Sequence, residues 1–404
     1  MKRFPLLFVI LLLISGVTFC ADFGLQTDQR IEIGNSGIDY NVLSYMPTFT
    51  PWFSWNGSEG VSVYLSCLLS LKYNNYSGEF SENSGWKEPV LVPELTRFAL
   101  SYRFNQSTSL EAGRIGYSDI LNITVSGFFD GLRFEMITPE GTISFGAFYS
   151  GFLFRDTAVI IMTAEDANNY MEPWNYNKDE FGNYFASRRL LASVRYIIPV
   201  GESNMFYGEI LAQFDLNGKD DALNSQYVKL NFDLFPLNTL RISAGVLFET
   251  MQNGNGNFFA AFGALMQTRI DLPTSISDWI GITIKFTSGA INDTFTVFKP
   301  INAIPSGLVF TGENEGIVFA GINYNARIIR SLFAEFAFNY FMRAYDSPEG
   351  IFYGGEFYTS FTWQPLEDVR LTAGGGVFFP QMGNLNPSGS DIIWKVSTGL
   401  SLSL

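Results

Sequence analysis

Charged side chains in this sequence recur at every second position of segments whose other positions are apolar. Alternate residues of a β-strand share one face, so these charges would lie together on one surface of a sheet. Charges on the wall of a water-filled passage select ions by sign. The candidate wall residues are Arg97, Arg103, Arg133, Arg189, Arg195, Glu209, Asp215, Asp233, Glu249, Glu335 and Glu356.

Two arrangements of these charges are open. The arginines lie on earlier segments and the acids mainly on later ones, so a basic wall facing a more acidic wall would set up a transverse field. Alternatively, the acids and bases pair as salt bridges and neutralise one another. The choice depends on how neighbouring strands are aligned.

Enzymatic chemistry is disfavoured by composition. The sequence contains no histidine, which excludes Ser-His-Asp triads, histidine acid–base pairs and histidine metal sites. We therefore expect no enzymatic activity, no metal and no cofactor. The formal net charge of −14 also disfavours nucleic acid as a partner.

The elements that would hold these residues are strands. Val228, Leu230 and Phe232 alternate with Lys229 and Asn231, and this period of two gives a strand one apolar and one polar face. Segments of roughly ten residues with this pattern, each followed by a turn, are typical of transmembrane barrels. We therefore predict an all-β fold, a transmembrane antiparallel β-barrel of about 18 strands, with 16 as the alternative, and long extracellular loops. The strands are predicted near 23–33, 40–55, 60–73, 95–104, 108–116, 127–137, 142–154, 188–198, 204–216, 225–235, 239–250, 257–270, 277–287, 315–325, 331–343, 351–363, 368–379 and 391–404.

The lengths of the connections favour an even number of strands. In a barrel with both chain ends in the periplasm, every second connection is a short periplasmic turn and the others are outer loops. The long connections, at 74–94, 155–187 and 288–314, all follow odd-numbered strands.

The N-terminus has the pattern of a signal peptide. Lys2 and Arg3 precede the apolar stretch 5–17, and small residues precede Ala21. We expect residues 1–20 to be cleaved and residues 21–404 to form the barrel; a lipoprotein modified at Cys20 is the alternative. After cleavage Cys67 is the one remaining cysteine, so no internal disulfide is expected.

The last strand carries a pattern that resembles the terminal β-signal of outer-membrane barrels. Ser397, Gly399, Leu402 and Leu404 occupy its polar, glycine and apolar positions, although most such signals end in Phe. The resemblance implies recognition by the barrel assembly machinery.

Two long connections are candidates for folding into the barrel. Residues 163–166 have a capping-box pattern that starts a short helix, and Glu165, Asp166 and Glu172 would form a constriction if this loop turned inward. A surface loop facing solvent is the alternative. The 288–314 connection has eight large apolar residues, which we expect to pack inside the barrel; a subunit contact or a hydrophobic-solute site are the alternatives. These residues are Phe295, Val297, Phe298, Ile301, Ile304, Leu308, Val309 and Phe310.

Two short motifs resemble strands of porin and alginate-export-like barrels. They are the segment 110–114, which ends in Gly113 and Arg114, and the segment 129–132, Phe-Asp-Gly-Leu. The resemblance implies a shared barrel fold and an arginine that faces the channel. Strict alternation would instead place Arg114 on the lipid side with Ala112, unless a bulge at Gly113 turned it inward. An alginate channel would be strongly basic, and the acids above depart from that.

Together these patterns predict a porin-like channel of the cell outer membrane, open to passive diffusion of ions and small hydrophilic solutes. A barrel of about 18 strands leaves an aqueous lumen. The alternatives are a fatty-acid-type transporter of hydrophobic solutes and a surface adhesin or structural barrel. The expected partners are outer-membrane lipid, the assembly machinery and small solutes or ions, with a homo-oligomer left open.

Overall fold

A computed structural model describes most of the chain. The described residues are 20–35, 41–57, 60–77, 85–86, 89–172, 181–217, 222–290, 295–312, 314–345, 350–384 and 391–404. The expected signal peptide therefore lies almost entirely outside the described residues.

Within these ranges the fold is a series of long strands. They are β1 Cys20–Asn35, β2 Asn41–Asn56, β3 Val61–Ser77, β4 Val90–Asn105, β5 Thr108–Ser118, β6 Ser126–Thr138, β7 Gly141–Tyr149, β8 Arg189–Val200, β9 Asn204–Asp215, β10 Leu223–Leu237, β11 Leu240–Asn253, β12 Phe258–Asp271, β13 Trp279–Thr287, β14 Ile317–Ile329, β15 Leu332–Arg343, β16 Phe352–Leu366, β17 Val369–Pro380 and β18 Ile393–Ser403. A two-residue strand, Gly85–Trp86, pairs with the end of β3.

The sheet closes on itself. Each long strand pairs antiparallel with its neighbours in the sequence, and β1 pairs with both β2 and β18. Among the described residues this gives an antiparallel barrel of 18 strands, which confirms the predicted fold and excludes the 16-strand alternative. Short turns lie at one end and the long loops at the other, as the connection lengths predicted.

The predicted faces of the strands are also observed. Along β10, Val228 and Leu230 are exposed on the outside, whereas Tyr227 and Lys229 are buried inside. Because successive side chains of a strand point to opposite faces, the positions of these four residues fix the face on which every other residue of β10 lies.

The helices lie in the connection between β7 and β8. They are α1 Arg155–Ala158, α2 Ala164–Met171 and a 3₁₀ turn, Phe181–Tyr184. The side chain of Thr163 caps α2 and Asp166 completes the capping box, so the predicted helix start is confirmed. Across the described ranges, no helix is long and apolar enough to cross a membrane.

The upper part of the β5–β6 hairpin leaves the wall and enters the lumen. We call residues 114–130 the inner hairpin. Its tip reaches the inner face of β9 and β10, where Asp119 lies 3.2 Å from Lys229. At its base, Gly113 pairs with Gly131, and Gly113 has a φ of +119°. A Cβ at either glycine would lie within about 2.2 Å of a carbonyl oxygen of the neighbouring strand, so this turn requires glycine.

Two loops join the inner hairpin inside the barrel. We call residues 150–188 the helical loop and residues 288–316 the apolar loop. The helical loop buries Leu153 and Met162, and the apolar loop buries Phe298 and Ile301, in one cluster with the inner hairpin and the walls of β7 to β12. Inward packing of the apolar loop is thus confirmed for Phe298, Ile301 and Val309, whereas Leu308 is exposed. Part of the helical loop packs against the inner wall, whereas Glu172 is exposed; a constriction by this loop stays a prediction.

The assignment of faces can be tested with arginine substitutions. Leu230→Arg places a charge on the outer, apolar face of β10, where we expect a loss of about 2–4 kcal/mol in the free energy of unfolding. Thr372→Arg is the control, because Thr372 is exposed on the inner face of β17, and we expect a change within about 0.5 kcal/mol. Urea unfolding in lipid vesicles measures both. Equal losses would contradict the assigned faces.

Candidate functional site

The interior is divided into a loop-filled half and an open half. The inner walls of β7 to β12 are covered by the inner hairpin and the two loops, and their large side chains are buried. On the opposite side, β16 to β18 and β1 to β2, most inner-face residues remain partly exposed. The exceptions, among them Glu356 and Phe378, are buried against the apolar loop near the long-loop end. A solute that moves along the barrel axis would therefore follow the open half.

A buried charge network holds the tip of the inner hairpin. Lys229 lies 3.2 Å from Asp119 of the tip and 3.5 Å from Glu209 of β9, and all three side chains are 0% exposed. Glu209 also accepts hydrogen bonds from the Tyr117 hydroxyl at 3.0 Å and from the backbone N–H of residue 120 at 3.1 Å. Arg195 pairs with Glu209 at 2.7 Å. Two acids and two bases thus balance, as burial of charge requires.

A second network holds the helical loop. Arg189, at the start of β8, is fully buried and donates to Asp166 at 2.5 Å and to Asp215 at 2.6 Å. Asp166 also accepts from the backbone N–H groups of residues 162 and 163, both at 3.0 Å. The carboxylate proposed for a constriction is therefore enclosed by protein. Glu165 is partly buried, and Glu172 is exposed and accepts a hydrogen bond from Asn183.

Two buried glutamates hold the apolar loop. Glu356 of β16 accepts from the backbone N–H groups of Leu308, Val309 and Phe310 at 2.6–3.1 Å. Glu249 of β11 accepts from the backbone N–H of Lys299 at 3.0 Å. Hydrogen bonds from N–H to a carboxylate are about twice as strong as neutral ones, so these acids fix the loop against the wall.

The remaining candidates lie nearer the short-turn end. Arg97 and Arg133 both pair with Glu111, at 3.6 and 2.5 Å. Arg103 and Arg133 line a polar cavity of about 440 Å³ together with Glu135. In a separate part of the wall, Asp233 pairs with Arg241 at 2.7 Å. Glu335 lies half-buried on the inner face of β15.

The observed pairs correspond to the neutralising arrangement. Of the candidate wall residues, most are within salt-bridge distance of an opposite charge, so a simple basic wall facing an acidic wall is not what the structure contains. The paired residues are Arg97, Arg133, Arg189, Arg195, Glu209, Asp215 and Asp233.

Charges of the open half were missed by the sequence reading. Asp28, Arg30 and Glu32 alternate along the inner face of β1, and Glu32 contacts Arg30 at 2.9 Å and Lys395 of β18 at 2.7 Å. The Arg30 side chain is 53% exposed. Alternation of charge along 28–32 was the signal that would have found them.

A cavity of about 590 Å³ lies in the open half near the long-loop end. Its lining combines the charges of Glu32, Arg343 and Lys395 with the aromatic rings of Phe310 and Phe378. A cavity of this size and lining can hold a small solute with both apolar and polar groups.

The residues of the two sequence resemblances have clear positions. Arg114 keeps the parity of Ala112, and the β5–β6 register contains no bulge at Gly113. The guanidinium is nevertheless buried, because it donates to both carboxylate oxygens of its pair partner Asp130 at 2.9 and 2.7 Å.

In the terminal pattern, Ser397 and Gly399 lie on the inner face of β18, and Leu402 lies on the outer face.

Solved structures resemble this chain over almost its full length. No protein-family model matches it, and no curated protein does. OccK5 (OpdH) of Pseudomonas aeruginosa aligns with a TM-score of 0.61 at 9% identity, covering 95% of this chain and 98% of that chain. The outer-membrane protein OpdK of the same species gives 0.60 at 10%, covering 95% and 99%. A BenF-like porin from Pseudomonas fluorescens Pf-5 gives 0.61 at 10%, covering 95% and 98%.

The chain has the fold of an outer-membrane porin. At these identities the likeness concerns the fold alone. The contacts above show which residues hold the inner loops against the wall.

The role of the tip network can be tested at Lys229. Lys229→Met leaves Asp119 and Glu209 buried with less compensation, and we expect a loss of about 3–5 kcal/mol in the free energy of unfolding. Lys395→Met is the control, since its partner Glu32 is partly exposed, and should cost less than about 1 kcal/mol. Urea unfolding compares the two. Similar losses would show that the network does not hold the interior together.

Proposed function

We propose that the protein is an outer-membrane channel through which ions and small hydrophilic solutes diffuse passively. The observation that carries this proposal is the closed 18-strand barrel with an apolar outer face and one half of its lumen left open. A barrel of this size is too wide for wall side chains to fill. We propose that solutes pass along the inner faces of β16 to β18, β1 and β2.

The structure supports small, partly polar solutes rather than large polymers. Three inward segments narrow the lumen, and the cavity of about 590 Å³ lies beside the proposed path. Two proteins with the same fold have been crystallised with small acids, OpdK with vanillate and OccK2 (OpdF) with glucuronate. We propose a solute of similar size for this chain. Passive diffusion needs no catalytic group, in keeping with the absence of histidine.

The other candidate functions have less support. The apolar loop suggested a transporter of hydrophobic solutes, but Phe298, Ile301 and Val309 are buried against the wall and the other inner segments. They therefore have a packing role. Binding by outer loops alone, as in an adhesin, would not require a half-open lumen.

Planar bilayers test the proposed channel directly. We expect the refolded mature protein to give stable conductance steps in KCl. A folded barrel that gave no steps would contradict the proposal.

Ion selectivity tests the path through the open half. Lys395→Glu reverses a charge beside the proposed path, and we expect the reversal potential under a KCl gradient to shift toward cation selectivity. Asp215→Asn removes a charge in the loop-filled half and should leave the reversal potential unchanged. A shift with Asp215→Asn but none with Lys395→Glu would place the path in the other half.

A further inference from the structure

The barrel wall contains a seam between β4 and β5. On one side β4 pairs with β3 from Tyr102 to Val90, with one register shift at Thr96. On the other side its pairing with β5 ends at Phe98, opposite Arg114, because β5 leaves the wall there as part of the inner hairpin. Residues 90–97 of β4 therefore have no β5 partner. A strand edge in contact with lipid must find other hydrogen-bond partners.

Side chains supply partners at two positions of this edge. Pro93 has no N–H to donate, and its carbonyl accepts a hydrogen bond from the Tyr184 hydroxyl. The carbonyl of Leu95 accepts from the Arg114 guanidinium at 2.6 Å. Arg114 also donates to the carbonyl of Phe152 at 2.9 Å, and so joins the edge of β4 to the helical loop.

The start of β12 shows a different closure. There the apolar loop bonds through its backbone, with the N–H of Ser288 on the carbonyl of Phe262 at 2.8 Å and the N–H of Thr296 on the carbonyl of Ala260 at 3.0 Å. At Pro93 and Leu95 the contacts are with side chains, which can move without any change in the sheet.

A short part of the helical loop covers the seam. We call residues 152–157 and 184–185 the seam patch. Phe154 bridges to Phe185 within the patch, and Thr157 donates to Glu94 of β4 at 2.9 Å. Lys72 of β3 also lies 3.4 Å from Asp156 of the patch. Side-chain hydrogen bonds of this kind contribute about 0.5–1.5 kcal/mol each.

The seam patch combines apolar and polar residues. Phe152 is 62% exposed toward the outside and Leu153 is buried, whereas residues 155–157 are charged or polar. In β4, Leu91 is exposed and Glu94 is buried. A molecule that displaced the patch would therefore meet apolar side chains together with a carboxyl group.

We propose that this seam is a lateral portal, through which small apolar or amphipathic molecules pass between the barrel interior and the lipid bilayer. The seam patch is the segment that moves to open the portal, and the Arg114–Asp130 pair keeps the inner hairpin beside it in place. This route is additional to axial diffusion of hydrophilic solutes through the open half and does not depend on it.

A cross-link between the seam patch and β4 tests the portal. In a Cys67→Ser background, Glu94→Cys and Thr157→Cys are joined after folding by a short bis-methanethiosulfonate reagent. The control joins Gln226→Cys and Thr250→Cys, a side-chain pair that is also 2.9 Å apart but lies between fully paired strands. Entry of the hydrophobic fluorophore N-phenylnaphthylamine into porin-deficient Gram-negative cells is followed by its fluorescence in membrane phospholipid.

The expected result is severalfold faster entry with the unlinked protein than with an empty vector. The 94–157 link should abolish this gain, reductant should restore it, and the 226–250 link should have no effect. Bilayer conductance of the linked protein should persist. Entry that is unchanged by the 94–157 link, or never faster than the vector, would overturn the portal. Loss of conductance in the unlinked protein would instead contradict the channel.

Discussion

Closure of the sheet is the constraint on which the other features of this molecule depend. An apolar outer face in contact with lipid offers no hydrogen-bond partners to an open strand edge, and the pairing of β1 with β18 removes that edge. The cost of the arrangement is a wide interior. The inner hairpin and the two loops fill about half of that interior, and the place where β5 leaves the wall is where closure depends on side chains.

Buried charges determine where the inner segments lie. An apolar loop could pack against an apolar wall in many positions, but a charge left without a partner in the interior is strongly destabilising. Lys229 therefore fixes the hairpin tip through Asp119, Arg189 fixes the helical loop through Asp166, and Glu356 fixes the apolar loop through three backbone N–H groups. We infer that these charges position the inner hairpin and the two loops, while the half-exposed charges of β1 and β18 face the solute.

The sequence was sufficient for the features that depend on local periodicity. The strand count, the two faces of β10 and the capping box of α2 follow from residues that are close in the chain. Contacts between distant segments could not be read in this way. Lys229 lies on the predicted inner face, but nothing local shows that its partner is Asp119 of another hairpin. Gly113 and Gly131 were noted in separate motifs, and their role at a turn into the lumen appears only once the two are paired.

The division of the lumen is the central claim, and cysteine accessibility tests it most directly. In a Cys67→Ser background, single cysteines replace Ser44 and Ser397 in the open half, or Ser193 and Ser225 beneath the loops. A charged methanethiosulfonate reagent is added during single-channel recording. We predict that it reduces conductance for the Ser44 and Ser397 variants and has no effect on the Ser193 and Ser225 variants. Rapid block at Ser193 and Ser225, with none at Ser44 and Ser397, would contradict the account.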